Sequence, residues 1–119
     1  MKKIKYSKKF IYLISPTKIK NSQFYENLKE IFKSKKIYFF QLRLKTTPDK
    51  KIFLIGKKIK KLCRKYNVKL IINDNPYLAK SINADGCHIG QKDMNINNVR
   101  KILNNKIVGI TCHNSKKLI

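Results

Sequence analysis

Short apolar runs alternate along this chain with stretches whose apolar residues recur every three or four positions. The first run is FIYLIS at 10–15, ended by Pro16. From about Ser22 to Lys35 the spacing turns helical, with Phe24, Tyr25, Leu28, Ile31 and Phe32 on one face. Ser22 is a fitting N-cap, and Glu26 and Glu30 lie in the early turns, where the helix dipole favours anions. A second strand is predicted over Ile37–Lys45. Thr47 then caps a helix with Pro48 at its first position and Asp49 beside it. Ile52, Ile55, Ile59, Leu62 and Tyr66 form that helix's apolar stripe, and lysines cover its other face. Further strands are predicted over Val68–Asn73, Gly86–Ile89 and Lys106–Thr111. Between them lie a helix from Pro76 to Ile82 and another from about Asn95 to Leu103. Strand and helix thus alternate through five strands, the pattern of an α/β parallel sheet with crossover helices.

Composition adds charge without changing that class. The 119 residues suit one domain and carry a formal net charge of +23 from 29 bases and 6 acids. A charge of this size suggests a nucleic-acid binder. However, only Arg43, Arg64 and Arg100 are arginines, tryptophan is absent, and the lysines run from end to end. Nucleic-acid modules usually gather arginines and aromatics into one patch. A chain rich in Lys, Ile and Asn and poor in Ala and Gly matches drift in an AT-rich coding sequence, so nucleic acid is not the expected partner. No apolar run approaches the roughly 20 residues that span a bilayer. The stretch from Phe10 to Ile14 is too short for a signal-peptide core and no small-x-small site follows it, so the expected location is the cytoplasm, with no membrane partner. Three cysteines, Cys63, Cys87 and Cys112, form neither a paired framework nor a CxxC zinc motif. The glycine fingerprints of dinucleotide and P-loop sites are absent as well.

The candidate chemistry sits where strands end. Gln41, Arg43 and Lys45 alternate along the second strand and share one face. Arg and Lys there suit an anion such as phosphate, and Gln suits the edge of a heterocycle. An edge strand with one wet face gives the same spacing. The third strand ends in Asn73-Asp74, and Asp93 follows the fourth. Two carboxylates at neighbouring strand ends suit one hard divalent cation such as Mg²⁺; each equally suits a turn or a helix start. Thr111, on the last strand, is a candidate ligand contact. His88 and His113 suit either acid–base work or plain hydrogen bonding, and neither receives a catalytic role.

Five segments in order carry a family resemblance: YLISP at 12–16, QLRLK at 41–45, LIIND at 70–74, ADGCHIGQKD at 84–93 and GITCH at 109–113. The sequence resembles thiamine-phosphate synthase and the related thiazole tautomerases. The resemblance implies a (βα)8 TIM barrel that joins a pyrimidine diphosphate to a thiazole phosphate and releases diphosphate. It implies that Gln41, Arg43, Lys45 and Asn73 bind the pyrimidine diphosphate, that Asp74 and Asp93 bind Mg²⁺, and that Thr111 takes a serine's place as a substrate contact. Catalysis would then lie in positioning and charge stabilisation. Leu44 replaces a glutamate common in the family, on the face away from the substrate.

A barrel takes eight strands and roughly 200 residues or more; five strands are predicted here. The expectation is a single incomplete barrel domain over residues 1–119, holding the diphosphate half of the site without the thiazole-phosphate half. It implies a truncated or split synthase inactive alone, a chain completed by self-association or by a second chain, or a remnant with a binding role. A thiazole tautomerase-like protein is the nearest alternative enzyme, and a basic nucleic-acid-binding protein the alternative of another class.

Overall fold

The computed structural model describes residues 11–90 and 95–111. The order is β1 (Ile11–Ile14), α1 (Gln23–Lys33), β2 (Ile37–Leu42), α2 (Asp49–Lys65), β3 (Lys69–Asn73), α3 (Pro76–Ile82), β4 (Gly86–Ile89), α4 (Ile96–Leu103) and β5 (Ile107–Ile110). All five strands are parallel, in the order β1-β2-β3-β4-β5. Every crossover therefore steps the same way, and right-handed crossovers that all step one way lay their helices on one face. The other face carries no helix among the described residues.

The core lies between sheet and helices. Leu28 and Phe32 of α1, Ile59 and Cys63 of α2, Ala79 and Ile82 of α3, and Val99 and Leu103 of α4 are buried against Phe40, Leu42, Leu70, Ile72, Cys87 and Ile89 of the strands. Burying one such Leu, Ile or Phe side chain contributes about 1.5–3 kcal/mol relative to leaving it exposed. Gly56 lets α2 and α3 approach, since a Cβ there would stand 2.6 Å from Ile82 Cδ1. In the central strand β3, Leu70, Ile71 and Ile72 are all buried. The outer strands β1 and β5 each pair on one side only among the described residues.

Several boundaries differ from the sequence reading, each for a local reason. β2 ends at Leu42 instead of Lys45. Beyond it, Arg43 N–H donates to the Ser15 hydroxyl (2.9 Å) and Lys45 N–H to Thr17 C=O (3.0 Å), so the chain stays extended while leaving the ladder. Pro48, in extended conformation, is the N-cap of α2 instead of its first residue. Thr47 does not cap, because its hydroxyl donates to Lys45 C=O (3.1 Å). Ser22 makes no side-chain cap either; Asn21 Oδ1 accepts from Gln23 N–H instead (3.0 Å). β3 and β5 are also shorter than predicted by one and two residues, and β1 ends at Ile14, one residue early; Phe10 lies outside the described residues.

Candidate functional site

The register of the sheet stacks residues in rows across its uncovered face. Ile14 pairs with Gln41, Gln41 with Ile71, Ile71 with Gly86 and Gly86 with Ile107. One step towards the carboxyl ends, Asn73 pairs with His88 and His88 with Gly109. These rows form an open concavity of about 640 Å³ that also takes in Tyr12, Phe39, Arg43, Lys45, Asp74 and Thr111.

Gln41, Arg43 and Lys45 line this cavity together, so the alternation read from the sequence holds in space even though the ladder stops at Leu42. Gln41 is only 3% exposed. Its Nε2 donates to the Tyr12 hydroxyl (3.0 Å), and the Tyr12 ring lies against Phe39 with centroids 5.3 Å apart. The amide is thereby fixed in one orientation at the cavity floor. Lys45 Nζ reaches Asp74 Oδ2 at 3.5 Å, and Asn73 Nδ2 donates to the same oxygen (3.0 Å).

Asp74 is a turn residue and not a helix cap. Its backbone is left-handed (φ 66°), and its N–H donates to His88 C=O (2.7 Å). The cap of α3 is Asn75, whose Oδ1 accepts from Leu78 N–H (3.0 Å) while its Nδ2 donates to Asp49 (3.2 Å). With no capping duty, the Asp74 carboxylate remains at the strand ends, partly exposed, as a hard oxygen donor suited to a divalent cation. Asp93, the other expected metal ligand, lies outside the described residues, as do His113 and Cys112. No group of three or more metal-ligating side chains occurs among the described residues.

Two features escaped the sequence reading. His88 Nε2 is 2.6 Å from the Thr111 hydroxyl, a contact that joins β4 to the end of β5. Burial pushes the His88 imidazole below its ordinary value; nearby Asp74 opposes the shift and Arg43 adds to it. Gly109 makes room for this ring, because a Cβ there would stand 2.7 Å from His88 Nδ1. The Tyr12 hydroxyl bond to Gln41 is the second feature. Both depend on register between distant segments, which residue spacing alone does not reveal.

A family model described as thiamine monophosphate synthase matches residues 11–119. The chain belongs to the thiamine monophosphate synthase family. A thiamine-phosphate synthase of Pelagibacter ubique is 59% identical over 118 residues, covering 99% of this chain and 57% of that protein. One from Flavobacterium psychrophilum is 43% identical over 82 residues, covering 68% of this chain and 40% of that protein. A solved thiamine phosphate pyrophosphorylase from Pyrococcus furiosus superposes with a TM-score of 0.76 at 28% identity, over 87% of this chain and 50% of that one. The chain thus spans about half the length of the relatives it matches. Its five parallel strands and their helices match part of the family's TIM-barrel-like fold. No helix among the described residues is long and apolar enough to cross a membrane.

Proposed function

We propose that the cavity is the pyrimidine-diphosphate half of a thiamine-phosphate synthase site. In this reading Gln41 meets the edge of the aminopyrimidine through the amide that Tyr12 orients. Arg43 and Lys45 neutralise the diphosphate, and the Thr111 hydroxyl, held by His88, gives it a further hydrogen bond. Asn73 positions the Asp74 carboxylate. Asp74 and Asp93 would hold Mg²⁺, which adds positive charge against a departing diphosphate. These residues bind, orient and stabilise charge; none of them is assigned nucleophilic or general-base work. The second substrate is a thiazole phosphate, the product thiamine phosphate, and the cell compartment the cytoplasm. The remaining strands of a barrel are supplied by further chain, by a second chain or by self-association.

The observation that carries this reading is the convergence of Gln41, Arg43 and Lys45 on Asn73 and Asp74 at the carboxyl ends of the strands. In βα-barrels that end is where active sites lie. A tautomerase has no diphosphate to neutralise and would leave this cation–carboxylate arrangement without a task. Calorimetry with the pyrimidine diphosphate should give weak, Mg²⁺-dependent binding that disappears in an Asp74→Ala, Asp93→Ala double variant. Equal binding by the variant would remove the metal assignment; no binding by either protein would remove the site.

A further inference from the structure

At the opposite, amino-terminal ends of the strands lies a second cleft, of about 220 Å³. Three elements bring cations to it. Lys60 and Arg64 come from α2, Lys69 from the start of β3, and Lys106 from the turn before β5. The one acid lining it, Asp85, is already engaged, its Oδ2 accepting from Leu70 N–H (2.8 Å). Lys106 Nζ donates to Asn83 Oδ1 (2.8 Å) and Ala84 C=O, both neutral acceptors. The ion pairs among the described residues are Lys33–Glu30 and Lys45–Asp74, and neither is here. An adjoining cleft of about 410 Å³ shares Lys60 and Arg64 and continues along α2 past Lys57, Lys61 and Lys65.

A helix C-terminus accounts for Arg64 and Lys65, which lie in the last turn of α2. It does not account for Lys69 and Lys106, which arrive from other elements. Lysine-rich composition explains how many cations the chain has, not why four from three elements face one cleft. Burial, then the neighbouring Arg64, Lys57 and Lys106, push the Lys60 ammonium below its ordinary value, and Asp85 only partly opposes them, as expected where cations outnumber the one acid. Neither cleft is lined by an aromatic side chain, so neither offers a base a stacking platform.

We propose that these joined clefts form a second anion site, separate from the strand-end site, that takes a base-free oligophosphate. A row of phosphates is the chemistry that meets cations along a groove of this kind without needing an aromatic contact.

The test is titration of the ¹⁵N-labelled chain with inorganic triphosphate at fixed salt. Amide shifts are expected at Lys60, Lys69, Asp85 and Lys106, in addition to any at the strand-end site. Shifts confined to Gln41–Lys45, Asn73, Asp74 and His88 would overturn the proposal, and this arm needs no variant. A Lys60→Gln, Lys69→Gln variant should lose about tenfold in affinity at the mapped amides. A Lys20→Gln, Lys36→Gln variant has the same net charge and should lose less than about twofold. Equal losses would reduce the effect to overall charge and overturn the site. Adenosine triphosphate should bind no tighter than free triphosphate; tighter binding would overturn the base-free assignment.

Discussion

Substituting Gly109 by alanine tests the packing that sets the His88–Thr111 contact. The new Cβ would stand 2.7 Å from His88 Nδ1, nearer than nonbonded atoms tolerate, while the other side of the ring is held 2.6 Å from the Thr111 hydroxyl. The imidazole cannot yield without losing that bond. Overpacking of this kind costs about 1–3 kcal/mol. Losing the hydrogen bond adds about 0.5–1.5 kcal/mol. A destabilisation of about 2–4 kcal/mol is expected, a large share of the roughly 5–15 kcal/mol typical of a domain. Urea unfolding followed by circular dichroism measures it. The same substitution in a His88→Ala background gives the new methyl room and should be nearly neutral. If Gly109→Ala costs the same in both backgrounds, so that the coupling is below about 0.5 kcal/mol, the account of Gly109 is refuted.

Three further outcomes follow from the same side chains. His88 is held below its ordinary value mainly by burial, whereas the unfolded chain protonates near pH 6.5, so protons favour the unfolded state between the two values. Stability is then full above pH 6.5 and declines as pH falls through that window; a His88→Gln variant should decline less between pH 7.5 and 5, and equal slopes would exclude His88 as the cause. Tyr12→Phe leaves the buried Gln41 amide without its acceptor and should cost about 1–3 kcal/mol. Tyr77→Phe, at a 64% exposed position, should stay within about 0.5 kcal/mol, and similar losses in the two would contradict the buried-amide argument. Burial, with a smaller contribution from Asp85, pushes the Cys63 thiol up to about 12. Peptide mapping after iodoacetamide at pH 8 should find Cys63 alkylated in urea and protected in the native chain; equal labelling would refute its enclosure.

The order of elements was legible because each announces its own period. The stripe Ile52, Ile55, Ile59, Leu62 repeats at helical spacing, and β3 centres on the apolar run Leu70–Ile72 between polar residues. The element ends were not legible, because small polar side chains choose among near-equivalent partners. Thr47 had the composition of a cap, yet its hydroxyl takes Lys45 C=O; Ser22 had it too, and Asn21 does the work. The polar stripe Gln41, Arg43, Lys45 was legible as a stripe, but its end depends on Ser15, just past the end of β1. The His88–Thr111 contact spans 23 residues and exists only once β4 and β5 are in register.

Asp74 offers the sharpest separation of backbone need from charge. Its positive φ recurs at Asn67, Asn83 and Asn104, where α2, α3 and α4 end. The chain has twelve asparagines and only six acids, and asparagine suits this conformation as well as aspartate does. At these four positions the carboxylate occurs only at 74, so backbone geometry does not account for it. Fold stability accounts for little of it as well, since a half-exposed pair such as Lys45–Asp74 contributes at most about 1 kcal/mol. What remains is the charge itself, placed at the strand ends between Lys45 and Asn73. Asp74→Asn keeps the turn and removes that charge. Its unfolding free energy from urea titration should match that of the unaltered chain to within about 1 kcal/mol, while Mg²⁺-dependent binding of the pyrimidine diphosphate should fall at least about tenfold. A variant that loses stability and keeps binding would reverse the argument and return Asp74 to the backbone.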